Sequence, residues 1–204
     1  EWELSNGVKV VLKPTTFKED EIVFRAFSPG GTSLAPDADF VAASTASYVI
    51  GASGLGNFSS MDLRKQMMGK TAQVSTYISE TDEGLNGSSS RKDLETMFQL
   101  IYMDFMQPRA DKQLFGVMTS QMKSLLANQA ATPEYEFEVT LQNALSQNHF
   151  RARPLTPALV DEMNLDKSLA FYKDRFADAS DFTFVFIGSF TTDSMKPLVE
   201  RYLG

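Results

Sequence analysis

A single histidine, His149, and no cysteine at all set the chemical limits of this sequence. Without Cys there is no thiolate nucleophile, no disulfide, no thiolate zinc site and no iron–sulfur ligation, while the redox compartment stays open. A serine triad would have to borrow His149 for Ser53. That serine sits in Gly51-Ala52-Ser53-Gly54, which falls short of a nucleophile elbow because Leu55 stands where the closing Gly belongs. His149 lies in the polar run Gln147-Asn148-His149-Phe150-Arg151 and reads as a surface or helix-end residue. Whether it meets Ser53 in space the sequence leaves open.

Carboxylates offer a second chemistry. Asp37 with Asp39, Glu80 with Asp82 and Glu83, and Asp161 with Glu162 could pair as acid and base or hold a hard cation. Each cluster reads better as helix-end or turn chemistry. Gly69-Lys70-Thr71 imitates the end of a phosphate-binding loop, but Arg64 occupies the place of the earlier Gly and the triplet follows a helix. Gly69 is therefore expected as a left-handed helix cap. Gly54-Leu55-Gly56-Asn57-Phe58-Ser59 lacks the last Gly of a dinucleotide fingerprint and reads as a tight connection.

The elements that would position these groups follow from hydrophobic period and turn signals. Residues 7–14 and 21–28 read as strands, and Asp37 to Ile50 as a helix with Asp37 and Asp39 at its positive end. A short helix from Ser60 to Met68 is capped by Ser59 or Ser60. Residues 71–79 and 81–88 form a hairpin-like pair. Ser90-Arg91-Lys92-Asp93 is a capping box opening a helix whose apolar face is Leu94, Met97, Phe98, Ile101 and Phe105, and Pro108 ends it.

The next helix carries Leu114, Phe115, Met118, Met122, Leu125 and Leu126, and Thr132-Pro133, Thr156-Pro157 and Asn164 start three more. The last of these has the stripe Leu165, Leu169, Tyr172 and Phe176. The nearly continuous apolar run Phe182 to Gly188 predicts a central strand. Thr192 or Ser194 then begins a final helix with Pro197 in its first turn. One stripe-and-strand core runs throughout, which predicts a single α+β domain over 1–204: a two-layer α/β sandwich with helices packed on a mixed sheet.

Composition narrows the partners. Nineteen Lys plus Arg against 26 Asp plus Glu leave a formal charge of -7, which disfavours nucleic acid. No apolar run approaches the ~18–20 residues of a bilayer span, so no membrane span is expected. The chain opens at Glu1 without Met and closes at Gly204, and it reads as a domain cut from something longer.

Several phrases, in order, resemble the pitrilysin-like or insulinase-like zinc metallopeptidases called M16. They are Leu4-Ser5-Asn6-Gly7-Val8, Phe27-Ser28-Pro29-Gly30-Gly31, Asp93-Leu94-Glu95 and Pro108-Arg109. Phe171-Tyr172-Lys173-Asp174-Arg175-Phe176, then Phe184 to Phe190, then Leu198 to Gly204 complete the series. The resemblance implies a fold of the LuxS/MPP-like metallohydrolase type. Active domains of that family carry His-x-x-Glu-His on the first helix and a distant Glu on a later one. The corresponding helix here, Asp39 to Tyr48, has neither His nor Glu, and Lys112 to Asn128 has no acidic residue. No catalytic, cofactor-binding or metal residue carries over.

What the resemblance implies is a non-catalytic homologous domain, most like the third of four copies in a long bacterial member. Zinc is implied for the parent protein and not for this chain. The other domains of the parent and a peptide substrate are the implied partners, and a periplasmic or envelope location is the implied address. The rival expectation is a non-enzymatic scaffold subunit of the same fold.

Overall fold

A computed structural model describes residues 1–204. The strands are β1 (Trp2–Glu3), β2 (Lys9–Pro14), β3 (Ile22–Pro29), β4 (Ala72–Ile78), β5 (Asp82–Ser89) and β6 (Thr183–Gly188). They form one sheet in the order β1-β2-β6-β3-β5-β4. Only β2 and β6 run parallel, with Val10 opposite Phe184, and the other pairings are antiparallel. The mixed sheet is the one expected, and β6, the most apolar run, lies inside it between β2 and β3.

Nine helices complete the fold: α1 (Phe40–Ser44), α2 (Ala46–Ala52), α3 (Ser60–Gln66), α4 (Leu94–Met106), α5 (Lys112–Gln129), α6 (Pro133–Leu145), α7 (Pro157–Asp161), α8 (Leu165–Arg175) and α9 (Thr192–Tyr202). Residues alternate strictly buried and exposed along β3. Ile22, Phe24 and Ala26 face the helices. On the opposite face Val23, Phe27 and, across the register, Ile187 are each about two-fifths exposed, so the sheet is covered on one side only.

Beneath the helices 27 buried residues make one hydrophobic cluster. Phe186 stacks on Phe24 at 5.5 Å and on Phe98 at 5.1 Å between ring centroids. Phe105 meets Phe176 and Phe182 edge-on, at 5.7 and 5.0 Å. Each such ring contributes ~1.5–3 kcal/mol through burial alone, so these aromatic layers fix α4 and α8 on the sheet.

Three local expectations change. The helix expected from Asp37 to Ile50 is a 3-10 turn at Asp37–Asp39, then α1 and α2 parted at Thr45. Thr45 turns its Oγ1 back to donate to the Val41 carbonyl at 2.8 Å, a bond that bends helices. Only half of the Ser90–Asp93 box forms: Asp93 N–H donates to Ser90 Oγ at 3.2 Å, but Ser90 N–H donates to the Thr71 carbonyl, and the helix starts only at Leu94. There the Asp93 carboxylate accepts from Thr71 N–H at 2.8 Å and caps nothing within α4. The last helix starts at Thr192 as expected, capped by Thr191 in a box with Ser194, but Pro197 sits in its second turn on the exposed side.

Candidate functional site

The residues singled out by type are occupied in holding elements together. Ser53 is buried at the end of α2; its Oγ donates to the Val49 carbonyl at 2.9 Å and accepts from Asp111 N–H at 3.2 Å. His149 is exposed, and its Nδ1 accepts from Arg151 N–H at 3.3 Å. No hydrogen bond joins the two. Asp37 pairs with Arg151, Asp39 with Lys167, Asp161 with Lys123 and Glu162 with Arg153, at 2.5–2.7 Å. Glu80 is exposed. Gly69 takes the left-handed conformation expected of it, φ +77, but in the turn two residues past Met67, which caps α3.

The helix pair α1–α2, where the resemblance would place zinc ligands, is filled differently. Val41, Ala42, Ala43, Ala46, Val49 and Ile50 are all buried. Small side chains let α8 approach closely, and Ser168, itself fully buried, donates from Oγ to the Ala42 carbonyl at 2.9 Å. The residues present do not fit a zinc ion. Neither α1 nor α2 offers an imidazole or a carboxylate, α5 has no acidic residue, and nowhere do three His, Cys, Asp or Glu side chains gather as a ligand set.

Two carboxyls are buried: Asp104, absent from the candidates singled out by type, and Glu83, expected only as part of a turn cluster. Asp104 on α4 is pushed up to about 7 by burial. Its backbone carbonyl accepts from the Tyr172 hydroxyl at 3.1 Å, and Tyr172 is itself raised, first by burial and then by the nearby Asp104 charge. A sequence signal existed: Asp104 stands three residues after Ile101 and seven after Met97, on the apolar stripe itself. Glu83 on β5 is 2 % exposed, and its carboxylate accepts from Gly31 N–H at 2.5 Å. Burial raises Glu83, while the Gly31 bond and Arg175, 4.0 Å away, oppose the rise. Glu83 thus ties β5 to the Gly31 turn, whereas at Asp104 it is the backbone carbonyl that holds Tyr172.

The open sheet face carries the most organised exposed group. Arg25 Nη2 donates to the Tyr77 hydroxyl at 3.2 Å, and Tyr77 donates to Asp82 at 2.8 Å. Ser79 also donates to Asp82, and these hydroxyls hold Asp82 below its ordinary value. The guanidinium carbon lies 5.7 Å from the Tyr77 ring centroid and 6.0 Å from that of Phe27. Gly84 makes room for this, since a Cβ there would come within 2.8 Å of the Tyr77 ring and 2.1 Å of the Ala26 carbonyl oxygen. The result is an ordered cation set among the apolar residues Val23, Phe27 and Ile187 on the open face.

No family model matches the sequence. Among curated proteins, the "Zinc protease PQQL-like" of Arabidopsis thaliana is 25% identical over 207 residues, spanning 100% of this chain and 19% of that protein. The "Probable zinc protease PqqL" of Haemophilus influenzae is 25% identical over 208 residues, again 100% of this chain and 22% of that protein. The solved periplasmic protease PqqL of Escherichia coli superposes with a TM-score of 0.80 at 22% identity, over 98% of this chain and 22% of that one. The fold is that of an M16 peptidase domain. A peptidase M16 inactive domain from Pseudomonas fluorescens has the same architecture, with a TM-score of 0.73 at 14% identity, over 98% of this chain and 49% of that one. The chain spans about a fifth of the length of the curated zinc proteases it matches, and the M16 resemblance holds from end to end in both sequence and fold.

Proposed function

We propose that this chain is a non-catalytic domain of an M16-like zinc metallopeptidase, forming part of the wall of its substrate chamber and contacting neighbouring domains. One observation carries the reading: similarity to zinc proteases runs the whole length of the chain, yet the helix pair in the zinc position is a packed seam of Val, Ala and Ile against α8. Zinc and its ligands then belong to another part of the parent. The half-open sheet, with Arg25, Phe27 and Val23 presented on it, is the surface suited to face an extended peptide. The name of the Escherichia coli relative supports a periplasmic address.

The test is made on the parent reading frame. Its intact product should hold zinc and cleave a quenched-fluorescent peptide, and deletion of residues 1–204 should abolish turnover while leaving the zinc in place. A parent with no His-x-x-Glu-His and no chelator-sensitive cleavage would point to the scaffold subunit.

A further inference from the structure

Helix α6 buries none of its residues. A helix of 13 residues is marginal in water by itself and normally owes its stability to burying an apolar stripe. The contacts that hold α6 to the body include two polar hydrogen bonds. The Tyr135 hydroxyl donates to the Leu155 carbonyl at 2.8 Å, and Gln142 Nε2 donates to the Ala152 carbonyl at 2.9 Å. Directly after the helix Gln147 and Asn148 both take left-handed conformations, φ +53 and +56. The chain then reaches Arg151, which is clamped to the Thr32 and Ala35 carbonyls and to Asp37.

These tethers fix which side of α6 turns outward. Phe137, Leu141 and Leu145, spaced four residues apart on one line, are 67%, 44% and 77% exposed. Glu134 and Glu138 border that line, Glu136 follows the helix start, and none of the three forms an ion pair within the chain. No Lys or Arg occurs between Lys123 and Arg151. The result is an apolar ridge with an acidic rim, held out on a well-anchored arm.

Resting on the reading of the chain as one domain of a larger peptidase, we infer that the Phe137–Leu141–Leu145 ridge docks into an apolar groove, edged by Lys or Arg, on another domain of the same parent. The similar zinc proteases hold about four-fifths of their length outside the region matched here, so a covering body of ample size exists in cis. A second copy is disfavoured, because a two-fold pairing of ridges would bring two acidic rims together in a chain of charge -7. An anionic membrane is disfavoured on the same ground.

The experiment mixes chain 1–204 with the remainder of the parent, expressed separately, and follows association by sedimentation. Wild type and a control altered at exposed residues on and just after α3, Met61→Gln with Met68→Gln, should bind alike. Phe137→Gln with Leu141→Gln and Leu145→Gln, which keeps helix propensity, should bind about 100-fold more weakly, as loss of central interface anchors does. Amides of α6 should also exchange more slowly in the intact parent than in chain 1–204, which reads the same contact without any substitution. Unweakened binding by the triple variant, or equal exchange of α6, overturns the inference and leaves the domain reading standing. Self-association of wild-type 1–204 that the triple variant abolishes gives the ridge to a second copy and overturns it too. Failure of the wild-type chain to bind the remainder at all removes the inference together with the reading beneath it.

Discussion

Ser168 on α8 and Ala42 on α1 lie in contact, the serine Oγ donating to the alanine carbonyl at 2.9 Å with both residues buried. The bond joins two helices across small Ala and Ser side chains, one of them the helix where the M16 resemblance would place the zinc motif. The seam between α1–α2 and α8 therefore acts as core and not as the wall of a site.

Restoring a ligand there is expected to damage the fold. Ala46 is fully buried, so Ala46→His inserts a polar ring into close-packed space. Overpacking costs ~1–3 kcal/mol, and an unpaired buried imidazole adds to it. Urea denaturation should show a loss of at least ~2 kcal/mol. Full stability with bound zinc would mean that the seam is looser than its packing indicates.

Asp104 gives a pH dependence of definite sign. Its carboxyl sits at about 7 in the folded chain against an ordinary 3.8, so between those values the native state holds a proton that the unfolded state has lost. Its favourable contribution is complete below ~4 and disappears as pH rises through ~7. Asp104→Asn should match wild type near pH 3.5 and exceed it at pH 8, by at most ~4 kcal/mol. Paired denaturation curves at the two pH values decide it; a variant less stable than wild type at pH 8 contradicts the assignment.

Much of this architecture could be read from local pattern. The run Phe182 to Gly188 has no polar face, and a strand of that kind has to lie inside a sheet; Thr132-Pro133 and Asn164 mark helix starts by capping chemistry that needs no tertiary partner. The break at Thr45 was not legible, because the apolar spacing continues through it and only the hydroxyl's choice of the Val41 carbonyl parts the helices. Trp2–Glu3 is too short to show a period, and it pairs as β1 only because β2 offers an edge. For the candidate site, residue types gave possible chemistry but not geometry. Ser53 and His149 are each consumed by a local bond that spacing cannot foretell. The exposed side of α6 was equally hidden, since a periodic stripe says which residues share a face and not whether anything covers it.

The turn at Gly31 should tolerate no side chain. Its φ is +64, and an added Cβ would lie 2.6 Å from the Ser79 carbonyl oxygen and 2.7 Å from Asp82 N. Its N–H also satisfies the buried Glu83 carboxylate. Gly31→Ala combines a left-handed penalty of ~1–3 kcal/mol with a backbone clash, so a fall of more than ~2 kcal/mol is expected in urea. Glu83→Gln keeps an acceptor for Gly31 and should cost far less than Gly31→Ala. Equal losses in the two variants would show that the charge of Glu83, and not the shape of the turn, holds this corner.

Zinc itself supplies the last prediction. A hydrolytic zinc ion takes three protein ligands from His and carboxylates, and the closed, oriented set is what brings its bound water to a pKa near ~7. This chain has one His, exposed and already accepting from Arg151 N–H, and carboxylates by themselves favour hard cations held weakly. Chain 1–204 passed through gel filtration in the presence of zinc should therefore retain well under one equivalent, lose it on dialysis, and leave a quenched-fluorescent peptide uncut. Zinc retained near one equivalent with chelator-sensitive cleavage, persisting in an independently purified His149→Ala sample, would overturn the non-catalytic assignment. The same activity vanishing with His149 would place a site around that residue, built from neighbours that the present ion pairs of Asp37 and Glu162 would have to release.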